Sequence, residues 1–189
     1  MALSDIGLCS RALLRVGSLP ISSFADGTAH SEIAGLLYEP VRDALLSSYG
    51  WSFATAQTEL ERLVDAPLSD YAYSYEMPLG VLRVLSAGSS GSGHGLRYRL
   101  SGSRLETSSE SVLLTYIYRP DESLFPPYFD MALIARLAAE FCLPLTENTS
   151  RAELLMRLAE QAFTQARQID AQQDTPNRIT RFSLIDARG

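Results

Sequence analysis

Two histidines, two cysteines and a short run of carboxylates are the side chains in this chain best suited to chemistry. A general base has to be held within hydrogen-bond reach of the proton it takes. His94 sits in a glycine- and serine-rich stretch from Gly88 to Gly95, and His30 opens a helical pattern, so neither is expected to be held that way. Cys9 and Cys142 lie far apart in apolar helical patterns, which makes no disulfide framework. A metal site needs clustered ligands, and these histidines and cysteines match no metal-binding spacing. Both cysteines are therefore expected as buried free thiols. Glu59, Glu61 and Asp65 resemble a carboxylate pair for acid–base work, but read as a solvated helix face. The Gly88 to Gly95 stretch lacks the closing lysine and the strand–helix context of a phosphate loop, so it reads as a flexible loop. Tyr71, Tyr73, Tyr75, Tyr116 and Tyr118 offer stacking faces for bases. No arginine interleaves the first three, and cross-strand packing accounts for them better. The expectation is a protein that is not an enzyme, with no catalytic residue, no cofactor and no metal.

Composition points the same way. The chain has 189 residues and a net charge of −6, and all 16 of its basic residues are arginine. A protein that grips nucleic acid shows a basic stripe, because phosphate neutralisation supplies most of the affinity. None is visible, although an acidic wall can border a DNA path without holding it. No apolar run reaches the length of a membrane span, and Met1 to Asp5 carries no basic segment of a secretory signal.

The elements follow from periodicity. Ser4 caps a first helix whose apolar face is Ile6, Cys9, Leu13 and Val16, and Gly17 stops it. The Asp26-Gly27-Thr28 turn caps a second helix facing inward through Ile33, Leu37, Val41 and Leu45, with Pro40 expected to kink it. Between residues 70 and 120 the period becomes two: Tyr71 to Tyr75, Val81 to Leu85, a hairpin through Ser101-Gly102, and Val112 to Tyr118. Helices resume at Pro126-Pro127, with Phe129, Leu133, Leu137 and Phe141 on one face and a stop at Leu143-Pro144. A capping box at Ser150 to Glu153 opens a fourth helix with a buried stripe of Leu154, Leu158, Ala162, Ala166 and Ile169. The expected fold is α+β. Residues 1–69 and 121–172 make an antiparallel bundle of about four helices, 70–120 a small antiparallel β-insertion, and 173–189 an extended C-terminal arm. In that arm Thr180, Phe182 and Leu184 share one side of an extended chain and should seek a groove. Burying each large apolar side chain there gains roughly 1.5–3 kcal/mol.

One block carries a family likeness: Tyr38-x-Pro40-Val41-Arg42-Asp43-x-Leu45-Leu46, then Trp51-x-Phe53-Ala54. With the Ile6-to-Gly17 helix, Asp26-Gly27, Tyr75-x-Met77-Pro78, Leu82-Arg83-Val84, Ala138-Ala139-Glu140, Pro144-Leu145-Thr146 and Ser183 to Asp186, the chain resembles the head–tail adaptors of tailed bacteriophages. The likeness is to the tail-tubular type and extends to versions in gene transfer agents. Tyr38, Val41, Arg42, Leu45, Trp51 and Phe53 are then family-signature packing residues. The resemblance implies a structural ring, a dodecamer, beneath the portal vertex, extending the DNA channel without sequence-specific binding. It implies the portal protein on one side, tail or stopper components on the other, and a place in a virion or phage-like particle assembled in the bacterial cytoplasm. It also implies that the C-terminal arm reaches the portal, with Arg178, Arg181, Phe182, Leu184 and Ile185 as contacts. The alternative is a cytoplasmic helical regulatory or scaffolding domain that binds a partner through the same tail.

Overall fold

A computed structural model describes residues 3–89 and 93–173. The fold is mixed α+β, with four helices and two three-stranded antiparallel sheets among the described residues. The helices are α1 (Asp5–Val16), α2 (Ala29–Ser47), α3 (Pro127–Thr146) and α4 (Thr149–Asp170). The strands are β1 (Thr55–Glu59), β2 (Tyr73–Glu76), β3 (Val81–Gly88), β4 (Tyr98–Ser101), β5 (Arg104–Thr107) and β6 (Leu113–Tyr118). Residues 174–189, which hold all five expected arm contacts, lie outside the described residues.

Helix α3 is the centre of the helical layer and packs against each of the other three. It is apolar nearly all round, as a helix enclosed by neighbours must be. Phe129, Leu133, Leu137 and Phe141 are fully buried, and so are Ala138 and Cys142. Cys9 and Cys142 are both buried free thiols, and burial pushes the Cys9 thiol up to about 12.

Local signals fixed several ends. The Ser4 hydroxyl accepts from the Gly7 amide, and Gly17 takes the left-handed conformation (φ 83°) that only glycine adopts without strain. Thr28 and Ser31 form a reciprocal capping box, and α2 continues as one helix through Pro40. Two ends differ from expectation. The cap of α4 is Asn148, whose side chain accepts from the Arg151 amide at 2.9 Å. Helix α3 runs past Pro144 to Thr146.

One sheet has the order β1-β6-β3 and the other β2-β5-β4. Two sheets replace the one expected, and β1 lies within the stretch 1–69 that reads as helical. Its sequence, Thr55-Ala56-Gln57-Thr58-Glu59, lacks apolar alternation because it is an edge strand, paired only with β6. Glu59 therefore ends a strand, and Glu61 and Asp65 follow in a loop, so the three do not share a helix face. The first sheet is covered on both sides. Ile117, Leu82 and Leu85 pack on the helical core, whereas Leu114, Ala87 and Val84 pack with Tyr75 and Leu105 of the second sheet. Leu82 and Leu85 are three apart yet face the same way, which the register shifts in β3 permit. The loop after β3 is pinned at its far end: Ser86 Oγ donates to the Gly93 carbonyl at 2.7 Å. The β4–β5 hairpin turns at Gly102 (φ 60°), as its sequence predicts.

Candidate partner-binding surfaces

The signature block folds into two anchor points beneath the helical surface. The first is a charged clasp. Tyr38 and Arg42, one helical turn apart on α2, reach the same atom: the Tyr38 hydroxyl and Arg42 Nη1 both donate to Glu122 Oε1 at 3.0 Å. Arg42 Nε also donates to Asp43 Oδ1 at 3.0 Å, and Arg119 pairs with the Asp43 carboxylate from the far side. The guanidinium lies 5.3 Å from the centre of the Tyr38 ring. Burial works against the Arg42 charge, but Asp43 and Glu122 outweigh it and hold the pKa above its ordinary value. Burial, and then Glu122, raise the Tyr38 phenol, so it remains a donor. The clasp joins α2 to the segment between β6 and α3, across 80 residues of sequence.

The second anchor surrounds Trp51. Its ring is fully buried against Tyr49, Phe53, Phe129 and Phe163, with centroids 5.1–6.0 Å away. Trp51 Nε1 donates to the Leu45 carbonyl at 3.0 Å, which ties the ring to the end of α2. Beside it, the buried Asp170 carboxylate ends α4. It accepts from the Ser52 amide at 3.0 Å, the Ser52 hydroxyl at 2.8 Å and the Tyr128 hydroxyl at 2.7 Å. Burial, reinforced by the bond to Asp170, pushes the Tyr128 phenol up to about 12.

Of the signature residues, Tyr38, Arg42, Leu45 and Trp51 are buried, while Val41 and Phe53 are half-buried against the same core. They are brought together, and their chemistry is spent on packing. Asp43 stood in the block, but the sequence missed the partners Arg119, Glu122 and Asp170. Asp170 carried a usable signal: it stands four residues after the buried Ala166, a carboxylate continuing an apolar helical stripe.

The α4 stripe itself is corrected. Leu154, Leu158 and Ile169 are exposed, and the buried side runs through Leu155, Ala159, Phe163, Ala166 and Asp170. Two apolar surfaces result. On the α1 side of α4, Met131 and Leu158 are each about half exposed beside Arg15. On the α2 side, a groove floored by α3 runs between α2 and α4, past Val41, Leu37 and Ile33 on one wall and Phe163, Ala159 and Met156 on the other.

The other chemical candidates fall apart in space. His30 lies at the first turn of α2 and His94 on the exposed loop before β4. Arg99 is engaged by Glu106 at 3.0 Å on the neighbouring strand. No group of three or more His, Cys, Asp or Glu is placed to hold a metal ion among the described residues. No described helix is long and apolar enough to cross a membrane. The chain matches no protein-family model and no curated protein.

Proposed function

We propose that this chain is a structural binding subunit: a head–tail adaptor of a phage or phage-like particle, built to sit among several neighbours. The observation that carries the reading is the distribution of exposed large apolar side chains over separate faces. Met131 and Leu158 lie on the α1–α4 side, Leu14 on α1, Leu36 and Leu143 beside the groove, and Leu79 at a β-turn. Apolar surface of this kind marks interaction sites, and a heterologous ring needs two different complementary faces on each copy. The signature residues support the same role differently. They lock α2, the β-layer and α4 into one rigid wall, which a subunit bearing load between a capsid and a tail requires.

In this reading the helical layer forms the ring wall, with copies of itself in a dodecamer around passing double-stranded DNA. The β-layer faces the tail or stopper components. The arm beyond residue 173 reaches the portal protein through Arg178, Arg181, Phe182, Leu184 and Ile185. The net charge of −6 suits a channel wall that DNA must slide past rather than grip. Sedimentation of a lysate from the native source, with mass spectrometry of the DNA-filled particles, tests the proposal. Co-sedimentation with portal and tail proteins is expected. Recovery only in the soluble fraction, while particles pellet without the chain, refutes it and favours a scaffolding domain with another partner. Within the adaptor reading, truncation after Asp174 should abolish docking on portal, and unaltered docking would remove the arm from the mechanism.

A further inference from the structure

The groove between α2 and α4 has two depressions of about 430 and 680 Å³ that share Glu140 on the α3 floor. The first is bounded on α4 by Ala159, Glu160 and Phe163, the second by Ala152, Glu153 and Met156. Their centres are thus about seven residues apart along α4, roughly 10 Å at 1.5 Å per residue. Arg136 pairs with Glu140 at 2.8 Å, while the Glu153 and Glu160 carboxylates on the α4 rim have no partner among the described residues. The groove is therefore apolar inside and acidic along one edge.

We infer that this groove is the docking site for the chain's own C-terminal segment, residues 178–186, bound within the same molecule. The segment reads Arg-Ile-Thr-Arg-Phe-Ser-Leu-Ile-Asp, with large apolar residues and two arginines to set against the acidic rim. Helix α4 is held by Asp170 at the end of the molecule from which the groove leads away. Measured along α4 from its end at Asp170, the path back is about 14 Å to the first depression and about 24 Å to the second. Phe182 is nine residues beyond Gln173, a reach of up to ~30 Å, and Ile185 a reach of up to ~40 Å. Wound as polyproline II, with three residues per turn and a rise of ~3.1 Å per residue, Phe182 and Ile185 share one side ~9 Å apart, which matches the separation of the two depressions. The residues where the chain must reverse, Asp174-Thr175-Pro176-Asn177, are turn formers. Docking within the molecule does not rest on the adaptor reading. If that reading holds, the groove stores the arm until portal takes it.

Disulfide trapping in the full-length chain tests this. One variant carries Met156→Cys and Ile185→Cys; the control carries Gln161→Cys, on the exposed side of α4, with the same Ile185→Cys. Tethering alone gives the tail a concentration near α4 of order mM, so the comparison of the two rates is what counts. Under mild oxidation the Met156 pair should close into an internal loop about tenfold faster than the Gln161 pair, a preference of ~1.4 kcal/mol. Adding Phe182→Asp should bring the Met156 pair down to the control rate, with thermal melts confirming that every variant is folded. Equal rates for the two pairs overturn the inference. Covalent dimers in place of internal loops also overturn it, and assign the groove to a second copy.

Discussion

Asp170→Ala should be among the most damaging single substitutions in the helical layer. The carboxylate accepts three hydrogen bonds from Ser52 and Tyr128, 118 and 42 residues away in sequence. A hydrogen bond to a charged group is worth about 1.5–3 kcal/mol when its partner is buried. Ser52 is exposed overall, so its hydroxyl can turn to water; the real losses are the Ser52 amide and the Tyr128 phenol. Against them stands a small gain, because a negative charge at a helix C-terminus is unfavourable by about 0.3–1 kcal/mol. The net cost is about 3 kcal/mol, which for a chain of this size lowers Tm by roughly 6–12 °C. Urea denaturation of the wild type, Asp170→Ala, Tyr128→Phe and the double variant gives both the cost and the coupling. The coupling between the two residues should be about 1–2 kcal/mol. A loss below about 0.5 kcal/mol, or strict additivity with Tyr128→Phe, would falsify the claim that this carboxylate holds the end of α4.

Three further outcomes are expected. Burial raises the Asp130 carboxyl to about 6, with Arg11 pulling the other way. Its ordinary value is about 4, so the folded state keeps a proton that the unfolded chain releases, and stability falls as pH rises from about 4 through 6. Asp130→Asn should therefore be more stable than wild type by about 1 kcal/mol at pH 7, after allowing for partial exposure and the lost helix N-terminal charge. The difference should vanish below about pH 4 in a series of thermal melts; a gap that stays constant with pH contradicts this. In the clasp, Glu122→Ala leaves the buried Arg42 with Asp43 as its one remaining ion-pair partner and should cost about 2–3 kcal/mol, whereas Arg42→Met replaces the buried charge with an apolar chain and should cost under about 1 kcal/mol. The reverse order in denaturant titrations would show that the arginine, not its desolvation, dominates. Gly93→Ala places a Cβ 2.6 Å from the Gln57 amide nitrogen and 2.8 Å from Thr115 Oγ1. It should cost about 1 kcal/mol, read as a drop in Tm, and no change would mean the loop is not held against β1 and β6.

Much of the helical layer was legible. The spacing of Phe129, Leu133, Leu137 and Phe141 gave the central helix because a period near 3.6 survives wherever one side must be apolar. Ser4, Gly17, Thr28 and Gly102 act through neighbouring backbone atoms, so their caps and turns could be read directly. The fourth helix was harder. Leu154 and Leu158 outrank Leu155 and Ala159 in hydrophobic pattern, yet the second pair is the more buried, because α3 offers a row of alanines that small side chains approach closely. Strand β1 left no signal, since an edge strand with Gln57 outward needs only its backbone to pair. Of the candidate surfaces, the residues from Tyr38 to Phe53 pack together, while the partners Arg119, Glu122 and Asp170 lie too far along the chain to be read from it.

The sequence by itself determined the caps at Ser4 and Thr28, the stop at Gly17 and the hairpin turn at Gly102. These depend on atoms within a turn or two of one another, and local energy settles them. The tertiary structure alone decided that Glu122 closes on Arg42, that Asp170 meets Ser52 and Tyr128, and that a groove stays open between α2 and α4. Those outcomes depend on which residues far apart in the chain arrive at the same place. They are paid for by burying apolar surface on α3, a helix that can enclose its neighbours in more than one way until all four are packed.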